Sequence, residues 1–399
     1  MYAPPKEILE QYAKVLVNFA LHHGKGLKKD EVVRVFTYIE GLPLAREVYA
    51  CILKTGGHPI LHIEDDDVEK IFYEQANKKQ LSLFLDKMFK VRADTIDHSI
   101  AIYAEKSPLY LKDCDPSKIN LNAKVHKPYR DWLDKKEDQG KFSWTLCSYA
   151  TPGKAKEAGM SHKAYWDQII QSCFLQEDDP VRKWKEVLKE ISKIIEKLNK
   201  LPIDKIHLEA PHTNLWLTLG EKRKWCSGNG ANIPSFEIFT SPDWRGTEGV
   251  IHFDQPLYTH GNLIKDVTLT FKNGKVIKAS AKHNQKYLDK LIGQKNANKI
   301  GEFSLTDCRH SKITKFMADT LFDENFGGTF GNTHIAVGAS YHETYTGDSS
   351  SMTDKKWESL GFNDSVEHKD MVSTFNRSVT AYLKDGTKKV IYKNGTFTI

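Results

Sequence analysis

Four separated clusters in the second half of the chain place carboxylates and imidazoles in apolar surroundings. The first is Asn232-Ile-Pro-Ser-Phe-Glu-Ile-Phe-Thr-Ser-Pro242, where Glu237 stands among apolar and small residues. The second is Ile300-Gly-Glu-Phe-Ser-Leu305, with Glu302 in a similar setting. The third runs from Leu321 to Tyr341. It carries Asp323 and Glu324, then a turn with Gly327, Gly328 and Gly331, then an apolar run with His334 at one end and Tyr341 at the other. The fourth is Glu367-His-Lys-Asp370. A carboxylate in an apolar segment is costly unless it is paired or bound to a cation. Glycines let a turn bend tightly, so the third cluster could hold Glu324 and His334 together. Residues two apart on a strand share a face, so His368 and Asp370 could reach one ion. Mixed carboxylate and imidazole donors suit a divalent ion of the zinc or cobalt type.

Each cluster also has a plainer reading. Glu237 and Glu302 could be strand-edge carboxylates, His334 a turn residue, Tyr341 a core tyrosine, and His-x-Asp a chance spacing. The intervals between the clusters are too long for spacing alone to join them.

The elements that must position these residues fall into two textures. Ile8, Leu9, Tyr12, Leu16 and Phe19 recur at helical spacing. Val32–Phe36 reads as a buried strand, Pro43 opens a helix that stops at Gly56-Gly57, and His58–Ile63 reads as a second strand. That β-α-β unit favours a parallel sheet with a right-handed crossover. The acidic run Glu64-Asp-Asp-Asp67 suits the start of the next helix, where the dipole favours negative charge. Residues 96–103 and 142–147 read as further strands, Ser161 as the cap of a helix running to Phe174, and Pro180–Lys200 as the clearest helix. After it the pattern turns to strands, at 205–220 and at 257–281 with the hairpin signal Lys272-Asn-Gly-Lys275, and finally at 378–383 and 389–392 around Asp385-Gly386. The expected organisation is an α/β domain with a parallel sheet over residues 1–205, then a β-rich α+β domain over 206–399 that carries the metal site.

Composition narrows the function classes. A chain of 399 residues, 40% hydrophobic, allows one large domain or two ordinary ones. The net charge of +6 comes from 58 basic and 52 acidic residues spread along the length, without the concentrated basic stripe of a nucleic-acid binder. No strand-turn-helix join carries a dinucleotide or P-loop fingerprint. The six cysteines form no C-x-x-C pair, the N-terminal residues lack the pattern of a secretory signal, and no apolar run is long enough to span a membrane. A reduced, cytoplasmic protein with no membrane or nucleic-acid partner is expected.

The clusters together resemble the aminopeptidase T and aminopeptidase S family of metallopeptidases. The resemblance rests on Asn-x-Pro-x-x-Glu-x-Phe-Thr-x-Pro at 232–242, Gly-Glu at 301–302, Leu-Phe-Asp-Glu-Asn at 321–325, His-Ile-Ala-x-Gly-x-x-Tyr at 334–341 and His-x-Asp at 368–370. It extends to Gly41-Leu-Pro-Leu44, Gly57-His-Pro59 and Ala158-Gly-Met-Ser161. It implies Glu237, Glu302, Glu324, His334, His368 and Asp370 as metal ligands, with Tyr341 as an active-site tyrosine. Six such ligands are too many for one tetrahedral zinc and suit two ions, whether zinc, cobalt or manganese. The implied activity is removal of N-terminal residues from peptides with a free N-terminus, with Glu302 as bridging carboxylate or general base and Tyr341 as oxyanion donor. A metal-dependent hydrolase of another amide, or a noncatalytic binding protein of the same fold, are the alternatives. The family also implies a homodimer. Two departures stand out: Phe236 occupies a position where the family usually has glycine, which would narrow the pocket or change its approach without removing the ligand, and the glycine-rich insert between Glu324 and His334 is longer than in some members.

Overall fold

The first helix forms over Lys6–Val15 and continues as a wider turn over Leu16–Ala20 in the computed structural model, which describes residues 2–399. The β-α-β unit follows as expected. The strands Val32–Tyr38 and His58–Glu64 pair in parallel, and the helix Leu42–Thr55 between them has Pro43 in its first turn. Asp65 caps the helix Asp66–Gln75 by accepting the Asp67 N–H at 2.8 Å, so the acidic run serves a helix start. Ser161 caps His162–Ser172 in the same way at 3.1 Å, and Asp179 caps Pro180–Asn199 at 2.9 Å. The apolar face of Pro180–Asn199 buries Trp184, Val187, Ile191 and Leu198.

The parallel sheet has the order His58–Glu64, Val32–Tyr38, His98–Tyr103, Ser143–Ser148, Asn232–Ile233. Near residue 205 the chain enters a large antiparallel sheet with Ile203–Ala210. That sheet includes the hairpin Asn262–Lys272 and Lys275–His283, whose turn residues Asn273 and Gly274 both have positive φ, 50° and 75°. The C-terminal strands Ser378–Leu383 and Lys388–Lys393 pair as expected. A second antiparallel sheet has the order His368–Ser373, Asn332–Gly338, Ile300–Thr306, Glu237–Thr240, Cys226–Ser227. Beyond residue 205 the chain thus returns to the parallel sheet with Asn232–Ile233 and then crosses directly into this second sheet.

One continuous hydrophobic core links the layers. A buried cation also ties them. Lys154 Nζ lies 3.0 Å from Asp319, 3.1 Å from Glu105 and 2.6 Å from Ser148 Oγ, with its side chain 4% exposed. Burial opposes its charge, and the two carboxylates outweigh burial and raise its pKa. Asp319 immediately precedes the short helix Thr320–Asp323 that leads to Glu324. Replacing Lys154 by Met leaves two carboxylates without their counter-charge. We expect Lys154→Met to destabilise the fold by about 3 kcal/mol or more, read as a lower midpoint in chemical denaturation.

Candidate metal centre and active site

Antiparallel pairing explains why distant clusters meet. Residues opposite one another in the ladder share a face, as do residues two apart along a strand. Thr306 stands opposite Glu237, Ser304 opposite His334, Glu302 opposite Ala336, Ala336 opposite Asp370, and Gly338 opposite His368. Glu237, Glu302, His334, His368 and Asp370 therefore project from one face, and the small residues Ser304 and Ala336 leave space among them. The other face presents Ile238, Phe303, Leu305, Ile335, Val337 and Met371, all buried. The ladder slips between Ile300 and Glu302, at Gly301, where a Cβ would overlap the carbonyl of Ala339. Gly338, with φ 114°, passes equally close to the carbonyl of Glu367. Only glycine permits both approaches.

The six expected ligands and Tyr341 line one small cavity of about 40 Å³, together with Trp144, Asn232, Phe239 and Glu343. Glu302 is its centre. His334 Nε2 lies 3.0 Å from Glu302 Oε1 and 3.4 Å from Glu237 Oε2. His368 Nε2 lies 3.4 Å from Glu302 Oε2 and 3.4 Å from Asp370 Oδ1. Two compact ligand groups result, Glu237–Glu302–His334 and Glu302–His368–Asp370, and Glu302 belongs to both. Glu324 stands outside both groups. Its carboxylate accepts from Asn232 Nδ2 at 3.0 Å, and its backbone carbonyl lies 3.1 Å from His334 Nδ1. The glycine-rich turn does bring Glu324 and His334 together, through the main chain of Glu324.

The donor set fits divalent transition ions. Nδ1 of His334 and of His368 each faces a backbone carbonyl, Glu324 O at 3.1 Å and Ala339 O at 2.8 Å. A carbonyl only accepts, so each Nδ1 carries the proton and each neutral ring offers its Nε2 lone pair to the cavity. Two ligand atoms on one tetrahedral ion with bonds near 2.05 Å stand about 3.3 Å apart, close to the spacings found here.

Tyr341 lies over His368, with ring centroids 4.6 Å apart, and its hydroxyl makes no hydrogen bond to the chain among the described residues. Burial, then the charge of Glu302, raises its pKa well above the usual tyrosine value, so the phenol stays protonated. Asp323 and Glu367 face elsewhere. Asp323 accepts the N–H groups of Met317 and Asp319, and Glu367 accepts from Gln294 at 2.7 Å.

The Phe236 expectation needs correction. Phe236 is buried, stacks on Trp184 at 5.3 Å and meets Phe174 edge-on, away from the cavity. It precedes Glu237 by one residue and so takes the opposite side of the strand. Its N–H donates to Asn325 Oδ1 at 2.6 Å, and Ser235 Oγ donates to Glu237 Oε1 at 3.1 Å. The aromatic anchor thus fixes Glu237, and Phe236 does not narrow the cavity from its wall. Sequence reasoning passed over Asn232, Ser235 and Asn325, although all three sit inside the motifs that carry the ligands. It also missed Trp144, which lines the cavity from the parallel sheet and carries no signal beyond its place in a strand.

Residues 5–397 match the family described as Thermophilic metalloprotease (M29). The chain belongs to this family. It is 27% identical to aminopeptidase PepS of Streptococcus thermophilus, over 99% of this chain and 98% of that one. It is 26% identical to aminopeptidase AmpS of Bacillus subtilis, over 98% of each. The solved structure of wild-type AmpT from Thermus thermophilus superposes with a TM-score of 0.82 at 22% identity, covering 99% of this chain and all of that one. The mixed α/β architecture, with its parallel sheet and large antiparallel sheets, is therefore shared with that structure. Family and relatives together make the chain a metallo-aminopeptidase, a hydrolase.

Metallopeptidase chemistry needs neutral imidazoles and ionised carboxylates, whereas the metal-free cluster holds protons. Burial opposes the charge on His334, but the hydrogen bond and charge of Glu302 raise it to about 9. Burial also opposes the charge on His368, and Asp370 and Glu302 raise it to about 10. Burial, then Glu302, lifts Glu237 to about 8. Burial would raise Glu302, and its hydrogen bonds to the two imidazoles lower it instead. A cation must displace the imidazole protons, which stay bound below about pH 9. We expect metal affinity to rise with pH from about 6 to about 8, with release of about two or more protons per chain when both groups are filled. Calorimetry in two buffers of different ionisation heat reads that release, and a binding heat independent of buffer would contradict it.

Proposed function

We propose that this metallo-aminopeptidase works through two divalent ions, zinc, cobalt or manganese, held by Glu237, Glu302, Glu324, His334, His368 and Asp370. The observation that carries the reading is the membership of Glu302 in both compact ligand groups. A carboxylate gripped on each oxygen by a different imidazole is suited to bridge two ions. When bound, the ions supply Lewis acidity and lower the pKa of a water in the cavity. The residues of the chain do the remainder. His334 and His368, each oriented by a backbone carbonyl, present Nε2 on either side of the Glu302 carboxylate. Glu302 is then set as bridge or as the base that takes a proton. The Tyr341 phenol donates to the oxygen of the scissile carbonyl as negative charge develops there. Trp144 and Phe239 wall a cavity with little room for bulk water. The substrates are peptides with a free N-terminus. The second division of the chain, residues 206–399, carries the ligands, and the first, 1–205, is the α/β unit.

The test is a peptide panel with free and acetylated N-termini, run before and after exhaustive chelation. Cleavage of free N-termini alone, lost on chelation and restored by a divalent transition ion, is expected. Equal cleavage of acetylated peptides would instead mark a hydrolase of other amides. Metal binding without turnover would mark a binding protein.

Homodimerisation is part of this reading. Its support is the family resemblance, and the chain exposes apolar side chains such as Ile60, Ile63, Val68, Ile71, Leu83 and Val91. Light scattering is expected to give twice the chain mass at micromolar concentration, and a monomer would exclude the dimer. A cytoplasmic location is also part of it, and the six free thiols fit a reducing compartment.

Tyr341→Phe isolates the oxyanion donor because it keeps the ring that packs on His368 and Phe239. We expect kcat to fall about a hundredfold or more, with KM, metal content and melting temperature little changed. A normal kcat with a lowered melting temperature would leave Tyr341 as packing alone.

A further inference from the structure

A second cluster of imidazole and carboxylate groups lies at the starts of the parallel strands. Glu31 immediately precedes Val32–Tyr38, His98 opens His98–Tyr103, and Ser143 opens Ser143–Ser148. Parallel register sets them side by side, with Val33 opposite His98 and His98 opposite Ser143. His22 reaches the same point from the turn after the first helix. Its Nε2 lies 2.8 Å from Glu31 Oε1, and His98 Nε2 lies 3.1 Å from Glu31 Oε2. The three ligand atoms fall within 4.8 Å of one another.

Two observations point beyond an ordinary ion pair. His98 is 1% exposed, yet its Nε2 has no hydrogen bond of acceptable geometry, despite the carboxylate beside it. Its Nδ1 lies 2.9 Å from Ser143 Oγ, which also accepts the His22 N–H at 3.0 Å. With the Nδ1 proton given to Ser143, the Nε2 lone pair faces the Glu31 carboxylate, and two electron-rich groups in contact call for a cation between them. The backbone also adopts a costly conformation to present His22: φ is 52° at His22 and 56° at His23, left-handed values that non-glycine residues avoid.

We propose that His22, Glu31 and His98 form a separate divalent transition-metal site of the zinc class, with solvent completing the coordination. Ligand atoms on a tetrahedral zinc stand about 3.3 Å apart, so the cluster needs only a slight expansion. Glu31 and His22 are about one-fifth exposed, which leaves an entry path for the ion. The site would pin the turn at residues 21–24 to the strand starts. That turn abuts the wall of the catalytic cavity, since Gly230 packs directly on Ala20 and the neighbouring Gly228, Ala231 and Asn232 line the cavity. The role is structural, and it stands whether or not the catalytic centre holds two ions.

The test uses the full chain with zinc as the probe. His22→Asn keeps a residue that tolerates the left-handed backbone, and Glu31→Gln is nearly isosteric. Each is made alone and on the His368→Ala background, which weakens the other centre. Proteins are loaded with zinc and gel-filtered, then metal content, circular dichroism and melting temperature are read. We expect each variant to lose about one zinc per chain in both backgrounds with its dichroism unchanged. A zinc-dependent rise in melting temperature should persist in His368→Ala and shrink in the double variants. If one variant fails to fold, the other decides. An unchanged zinc count in a folded variant would overturn the site and leave a hydrogen-bonded His-Glu cluster.

Discussion

The active-site face is constrained by the cost of burying carboxylates. Glu237, Glu302 and Glu324 are each at most 6% exposed, and Asp370 is close beside them. No such group survives in an apolar interior without positive charge or several donors. The chain itself supplies only His334 and His368 at contact distance from Glu302, so two imidazoliums must stabilise a larger set of acids. The consequence is a cluster whose protons are displaced from their ordinary positions and whose electrostatics divalent ions complete. Neutral partners carry part of the remaining load: Ser235 serves Glu237, and Asn232 serves Glu324.

The backbone around this face is arranged to hold that unfavourable set rigidly. Its strands bury an unbroken apolar side, so a one-residue slip would exchange the carboxylate and imidazole face for a hydrophobic one. That penalty locks the register on which every ligand distance depends. Phe236 adds a local lock. Its ring is driven into the Trp184 and Phe174 cluster, and Glu237 must then point the other way. Asn325, next to Glu324, accepts the Phe236 N–H and so couples two ligand segments that lie far apart in sequence.

Much of this was legible from residue type. Glu237 and Glu302 stood out as charges in apolar runs, and His368 and Asp370 as a shared-face spacing, but only the family resemblance joined them into one site. The β-α-β unit and the Asn273-Gly274 hairpin followed from local chemistry, because proline, glycine and asparagine act within a few residues. The illegible parts are those set by partners remote in sequence. Asn232–Ile233 is too short to show a period, and it joins the parallel sheet only because Ser143–Ser148 offers a free edge. Asn232 and Trp144 are ordinary residues until that pairing puts them at the cavity. Phe236 read as an obstruction because its departure from the family pattern was visible, whereas the aromatic pocket that receives it was not. His22, Glu31 and His98 escaped notice for the same reason: they come from three segments and no motif joins them.

The strand pairing at Asn232–Ile233 also explains why an α/β layer belongs to an enzyme whose candidate ligands lie mostly on another sheet. The chain leaves the parallel sheet at Ile233 and reaches the first candidate ligand, Glu237, four residues later, so any tilt of the parallel sheet is carried directly into the candidate centre. Lys154 acts on another segment of the same site. It hangs from the parallel layer and holds Asp319, which anchors the segment leading to Glu324. Two ligand segments are therefore referenced to one rigid layer, one through main-chain pairing and one through a buried ion pair. Catalysis by preorganised charge tolerates little misplacement. A layer that contributes no ligand can thus still set the geometry that the ligands need.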